Sequence, residues 1–188
     1  MPFSVFHKAF IAEKGTAISK AIQTRLLSTS DQSLRNVRKE QVDAIIKSID
    51  QISRRFMIKE ERDKQTEVLR LELANKCLRS TYLERRISGI KDLNTVIRNN
   101  TLFMSSKTFT TEFLIDWMVS NEVFTTLWDA RKTHAQLVQR SGEIFKLLLK
   151  EDRLDESLLK LFWSLTKNDY QTEILKIVGE TSFYLKQP

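Results

Sequence analysis

Apolar residues recur at helical spacing along nearly the whole chain. Phe6, Phe10, Ile18, Ile22 and Leu26 lie close to one stripe of a first helix predicted from about Ser4 to Leu27. Ser28-Thr29-Ser30-Asp31 breaks it and offers N-cap oxygens to the next element. A second helix carries Val42, Ile45, Ile49, Ile52 and Phe56 at alternating steps of three and four. That spacing also suits a coiled-coil seam, but over so few heptads it fits core packing better. From Lys59 a third helix carries Val68, Leu69, Leu71, Leu73, Cys77 and Leu78. Thr81-Tyr82-Leu83-Glu84 then reads as a capping box. It opens a fourth helix with Leu83, Ile87, Ile90, Leu93, Val96 and Ile97 on one face, closed by Arg98-Asn99-Asn100.

The polar stretch 101–111 reads as a loop. Two short helices follow, one built on Phe113, Leu114, Trp117 and Met118, the other on Val123, Phe124, Leu127 and Trp128. Thr133-His134-Ala135-Gln136 reads as a second capping box, opening a helix through Leu137, Ile144, Phe145 and Leu148. Asp155 is placed to cap a helix with Leu158, Leu161, Phe162 and Leu165 inward, and Asp169 a last one with Ile174, Ile177, Val178 and Phe183. The expected core includes Leu83, Ile87, Ile90, Trp117, Leu148, Leu161 and Trp163. Helices joined by loops of a few residues suit a bundle or an α-solenoid. The expected fold is all-α: an irregular armadillo/HEAT-like helical-repeat array, with residues 1–58 a helical extension and residues 59–188 the repeat segment.

Composition supports the helical reading. The only prolines are Pro2 and Pro188, and four glycines serve all 188 residues. A sheet protein of this size needs many more of both for its turns. The net charge of +7 is unevenly placed, with 20 Lys/Arg against 12 Asp/Glu in residues 1–100 and 11 against 12 thereafter. A basic first half steers toward acidic partners, yet runs such as Lys59-Glu60-Glu61-Arg62-Asp63-Lys64 alternate in sign as solvated helix faces do. With Cys77 alone no internal disulfide forms, and a reducing compartment, the cytoplasm, is expected. No apolar run reaches the ~18 residues of a transmembrane helix, so no membrane insertion is expected. Residues 1–30 read first as an ordinary first helix; the alternative is a mitochondrial presequence, since they are basic and amphipathic and end in a Ser/Thr cluster, although Glu13 is out of character.

Motifs for chemistry are missing. There is no glycine-rich phosphate loop, G-x-S-x-G or H-E-x-x-H. His7 and His134 lack companion ligands for zinc, and Cys77 falls on an apolar helix face as a core thiol rather than a nucleophile. No cofactor or metal is expected. Asn99-Asn100-Thr101 matches a glycosylation sequon, which without a secretory signal is coincidence. The Arg54-Arg55, Arg85-Arg86 and Arg131-Lys132 pairs are the candidate surface for an acidic protein partner. Surface aromatics are not interleaved among them, so nucleic-acid binding is the weaker reading.

Residues 66–186 resemble the N-terminal helical-repeat region of the very large ubiquitin-specific proteases of the fat facets type. The first matching segment is Leu71-Glu72-Leu73-Ala74-Asn75-Lys76-Cys77-Leu78-Arg79-Ser80-Thr81-Tyr82-Leu83-Glu84-Arg85-Arg86-Ile87-Ser88-Gly89-Ile90, with Leu93-Asn94 and Val96-Ile97 beyond it. The second runs from Trp117 through Leu137, Ile144 and Leu148 to Leu161-Phe162-Trp163-Ser164-Leu165-Thr166-Lys167, and on to Glu173 and Val178. Members of that family deubiquitinate proteins with a papain-like cysteine protease domain, and their armadillo-like flanks serve partner recognition. The resemblance therefore implies a non-catalytic protein-interaction module. Cys77 does not lie in the family's Gly-x-x-Cys-Tyr box, so no catalytic residue carries over. The chain stops where another repeat is expected, as a fragment, a short gene product or a truncated paralogue would. An independent helical adaptor or mitochondrial assembly subunit is the alternative.

Overall fold

The structure, a computed structural model, describes residues 3–102, 108–129, 133–168 and 170–181, with side chains from Glu13 onward apart from those of Leu102 and Asn168. Among the described residues all regular structure is helical, with no strand. The helices are α1 (Phe3–Ser28), α2 (Asp31–Arg35), α3 (Lys39–Ser53), α4 (Lys59–Leu78), α5 (Leu83–Leu102), α6 (Thr111–Ser120), α7 (Val123–Trp128), α8 (Ala135–Arg140), α9 (Gly142–Lys150), α10 (Glu156–Ser164) and α11 (Gln171–Thr181). A 3-10 turn, Leu165–Asn168, follows α10. None of the described helices is long and apolar enough to cross a membrane. The chain divides into two compact units, Met1–Leu73 and Ala74–Pro188, the division falling inside α4.

In the first unit α1 packs on α3. Small residues bring the helices close: Ser19 and Ser53 are fully buried and share a hydrogen bond at 3.3 Å, and the Phe56 ring lies where a side chain on Gly15 would be. Ile46, Ile49 and Leu69 form the core, flanked by Ile22, Leu27, Val42, Ile45 and Leu73. Asp50 of α3 accepts from Arg62 of α4 at 2.8 Å and from Arg54 at 3.0 Å. The expected single second helix is two. Ser30 Oγ accepts from the Ser33 N–H to start α2, and after a break Gln41 Oε1 accepts from the Arg38 N–H at 2.9 Å to start α3. Ile18, placed on the α1 stripe by its spacing, is 51% exposed.

In the second unit α5 packs against α6, α8 and α9, and α11 against α8 and α9. Gly89 of α5 meets the α4 backbone, where a Cβ would fall 2.7 Å from the Ala74 carbonyl oxygen and 2.8 Å from the Leu78 nitrogen. Two buried asparagines hold the connections. Asn94 Nδ2 donates to the Arg140 carbonyl at 2.9 Å, satisfying an orphan acceptor at the end of α8. Asn100 Oδ1 accepts from the Thr108 and Phe109 N–H groups at 2.9 and 2.8 Å, fixing the approach to α6. Arg79 donates to the Asn121 carbonyl at 2.7 Å, at the α6–α7 turn where Glu122 adopts a left-handed φ of 53°.

Other details of the sequence reading change here. The helix expected to run from Leu137 to Leu148 is broken at Ser141, whose hydroxyl donates to the Val138 carbonyl at 2.7 Å. The cap of α8 is His134, not Thr133. His134 Nδ1 accepts from the Gln136 N–H at 3.2 Å, while the Thr133 hydroxyl donates to the Leu127 carbonyl. Asp155 caps α10 as expected; Asp169 lies outside the described residues. Of the expected core, Ile90 and Leu148 are fully buried. Leu83, Ile87, Trp117 and Leu161 are half-buried, as is Cys77. Trp163 is 51% exposed, and its assignment to the core was wrong.

Candidate protein-interaction surface

Helix α10 is divided between core and solvent. Its first turn is fixed by Asp155, which accepts from the Leu158 N–H at 2.8 Å and the Ser157 hydroxyl at 2.7 Å. The backbone hydrogen bond from Leu158, then that from the Ser157 hydroxyl, holds the Asp155 carboxyl below its usual range. Leu158, Leu161, Phe162 and Leu165, at spacings of three and four, form the inward stripe. Phe162 is fully buried, edge-on to Trp128 at 5.1 Å between ring centroids and stacked on Phe145 at 4.4 Å. Trp128 Nε1–H donates to Ser141 Oγ at 3.0 Å, so the buried indole is satisfied.

That stripe fixes where Trp163 goes. A residue one step beyond Phe162 is rotated by about 100° around the helix, and Leu159, one turn earlier, shares its face. Trp163 and Leu159 are 51% and 43% exposed, and together they make an outward apolar ridge. Lys160 and Glu156 neutralise each other beside it at 2.7 Å. The signal was present in the sequence: once the inward stripe is assigned, Trp163 cannot belong to it. The unbroken apolar run Leu161-Phe162-Trp163 obscured this.

The basic pairs are placed differently from one another. Arg54 and Arg55 are both exposed at the end of α3, Arg54 holding Asp50 at 2.9 Å. Arg85 is half-buried, with Nε unpartnered. Arg86 is engaged internally: Nε donates to the Leu78 carbonyl at 3.1 Å and the outer nitrogen to the Thr126 carbonyl at 3.0 Å. Burial lowers its pKa, partly offset by Asp129, and the guanidinium stays charged at any physiological pH. Arg86 therefore ties the ends of α4 and α7 to α5. Arg131 and Lys132 lie outside the described residues.

Among the described residues, no group of three or more His, Cys, Asp and Glu side chains is placed to hold a metal. Cys77 is half-buried beside Gly89 at the α4–α5 crossing. The His134 ring serves as a helix cap.

Comparison with known proteins agrees with the helical architecture. Residues 64–179 match the family model described as the UBP24/USP9X/USP9Y ARM repeat. The chain is 29% identical over 112 residues to ubiquitin carboxyl-terminal hydrolase 24 of Mus musculus, a match covering 59% of this chain and 4% of that protein. It is also 29% identical over 110 residues to the Homo sapiens protein of the same name, covering 58% of this chain and again 4% of the relative. No solved structure matches significantly. The second compact unit and the end of the first thus carry the recognised repeat region, and the chain belongs to the UBP24/USP9X/USP9Y ARM-repeat family.

Proposed function

We propose that this chain is a non-catalytic protein-interaction module, serving as the substrate- or partner-recognition flank of a deubiquitinating system in the cytoplasm. The observation that carries the reading is the exposed Trp163–Leu159 ridge on α10. Tryptophan is enriched among residues that dominate binding energy, and here an apolar surface is held outward by an inner face anchored on the fully buried Phe162 and Leu165. Helical repeats present such helix faces as extended binding surfaces. The partner is a protein with an apolar pocket for the indole. The relatives are ubiquitin carboxyl-terminal hydrolases, and this chain contributes recognition rather than cleavage.

Two measurements test the proposal. Proteins retained by the wild-type chain but not by a Trp163→Ala/Leu159→Ala variant are purified, and their affinities measured by calorimetry. A loss of at least about tenfold is expected, the size of a hot-spot truncation. If no purified protein distinguishes the two chains while circular dichroism shows both folded, the ridge is not the binding site. Separately, a ubiquitin-derived electrophilic probe should leave Cys77 unlabelled, and no ubiquitin conjugate should be cleaved. An adduct at Cys77 in the folded chain would give the thiol a catalytic role.

A further inference from the structure

We propose that the groove between α1 and α3 is a second docking site, one that takes an acidic amphipathic helix from a partner protein. The groove has a volume of about 510 Å³, within the range of pockets that hold ligands. Its residues lie in the first unit, ahead of the family match, so the proposal is independent of the α10 ridge. Ile18, Ile52 and Phe56 supply apolar walls, and Gly15 sets their shape. Because Gly15 has no Cβ, the Phe56 ring lies directly on the α1 backbone; Ile18, one turn on, is 51% exposed.

Charge selects the occupant. Lys14 and Arg55 are the charged lining residues; the others on the polar side, Ser48 and Gln51, are neutral, and no carboxylate lines the groove. Arg55 is exposed, and among the described residues its side chain has no hydrogen bond or ion pair. By contrast, the adjacent Arg54 is held by Asp50. Residues 1–58 carry ten Lys/Arg against five Asp/Glu, so the surrounding field is positive as well. An amphipathic helix lays its apolar face into such a groove by anchors at helical spacing. Carboxylates flanking those anchors would meet Arg55, giving register and a fast, salt-dependent association.

The test uses the full chain and a fluorescent peptide of about 15 residues, long enough to form a helix, with leucine at helical spacing and glutamate elsewhere. Fluorescence anisotropy should show saturable binding that weakens between about 0.05 and 0.3 M salt. Arg55→Glu and Ile18→Glu, both at exposed positions, should each weaken binding by at least about tenfold. Lys160→Glu, the same charge reversal as Arg55→Glu but on the second unit, should leave it unchanged. Replacing the peptide's glutamates with lysine, or its leucines with serine, should abolish binding. The proposal is overturned by lack of saturable binding, by equal weakening with Lys160→Glu, or by undiminished binding of either altered peptide. Concentration-dependent self-association abolished by Ile18→Glu would assign the groove to a second copy of this chain and overturn it too.

Discussion

Gly89→Ala sets two physical effects against each other. In an unobstructed helix, alanine is favoured over glycine by roughly 0.5–1 kcal/mol. At Gly89 the new methyl would lie 2.7 Å from the Ala74 carbonyl oxygen, 2.8 Å from the Leu78 nitrogen and 2.9 Å from Cys77 Cβ. The first two obstacles are helix backbone and cannot rotate away. Restoring the ordinary 3.4 Å contact distance needs α4 and α5 to part locally by about 0.5–0.7 Å. A gap of that size forfeits about a quarter to a half of each dispersion contact it opens. The neighbours Ala74, Leu78, Ile90 and Leu93 are all buried and lose contacts together. Overpacking costs about 1–3 kcal/mol, and a backbone obstacle belongs at the upper end. Against the propensity gain, the net expectation is destabilisation by about 2 kcal/mol. At about 2–4 °C per kcal/mol, Tm falls by roughly 4–8 °C. Urea unfolding followed by circular dichroism measures it. A variant as stable as wild type, or more so, would refute the close backbone crossing.

The remaining predictions follow from individual contacts. Gly179→Ala in α11, where a Cβ meets nothing within 4 Å, should stabilise by about 0.4–1 kcal/mol, opposite in sign to Gly89→Ala. Ser141→Ala leaves the buried Trp128 indole N–H without its acceptor and should cost about 1–3 kcal/mol, read from the urea midpoint; an unchanged midpoint would contradict that hydrogen bond. Glu67 has its pKa raised by burial, against an opposing pull from Arg70 and with a further push from Asp63. The folded state therefore binds the proton more tightly than the unfolded one, so the destabilisation from this group is full above its folded pKa and disappears as pH falls through the carboxylate range. Glu67→Gln should stabilise the chain at neutral pH, with the gain shrinking on acidification; a gain that persists unchanged at low pH would show another cause.

Much of the fold was legible because period 3.6 and cap residues act locally. The α5 stripe, the Asp155 cap and the short α6 and α7 helices all follow from spacing and short-range hydrogen bonding. The misread features depend on packing between elements. The break at Ser141 looks like continuous helix in sequence, since what interrupts it is a hydroxyl turned to the Val138 carbonyl and the Trp128 indole. Arg85-Arg86 reads as an exposed basic pair, yet α4 and α7 bring two carbonyls to Arg86. The roles of Asn94 and Asn100 depend on backbone groups that only the tertiary fold brings to them. The site was half legible: family and helix face were readable from pattern, but Trp163 was placed in the core by the local run of apolar neighbours.

The central claim, that the α10 ridge is where this repeat module meets its partner, is tested most directly by an aromatic photo-crosslinking amino acid, which keeps a large apolar ring, placed at position 163 in the full chain. A matched chain carries it at position 151, exposed at the end of α9. Irradiation in cell extract should give a discrete protein adduct from position 163 that a Leu159→Ala substitution weakens and that position 151 does not give. Equal adducts from both positions, or none from position 163, would contradict the account.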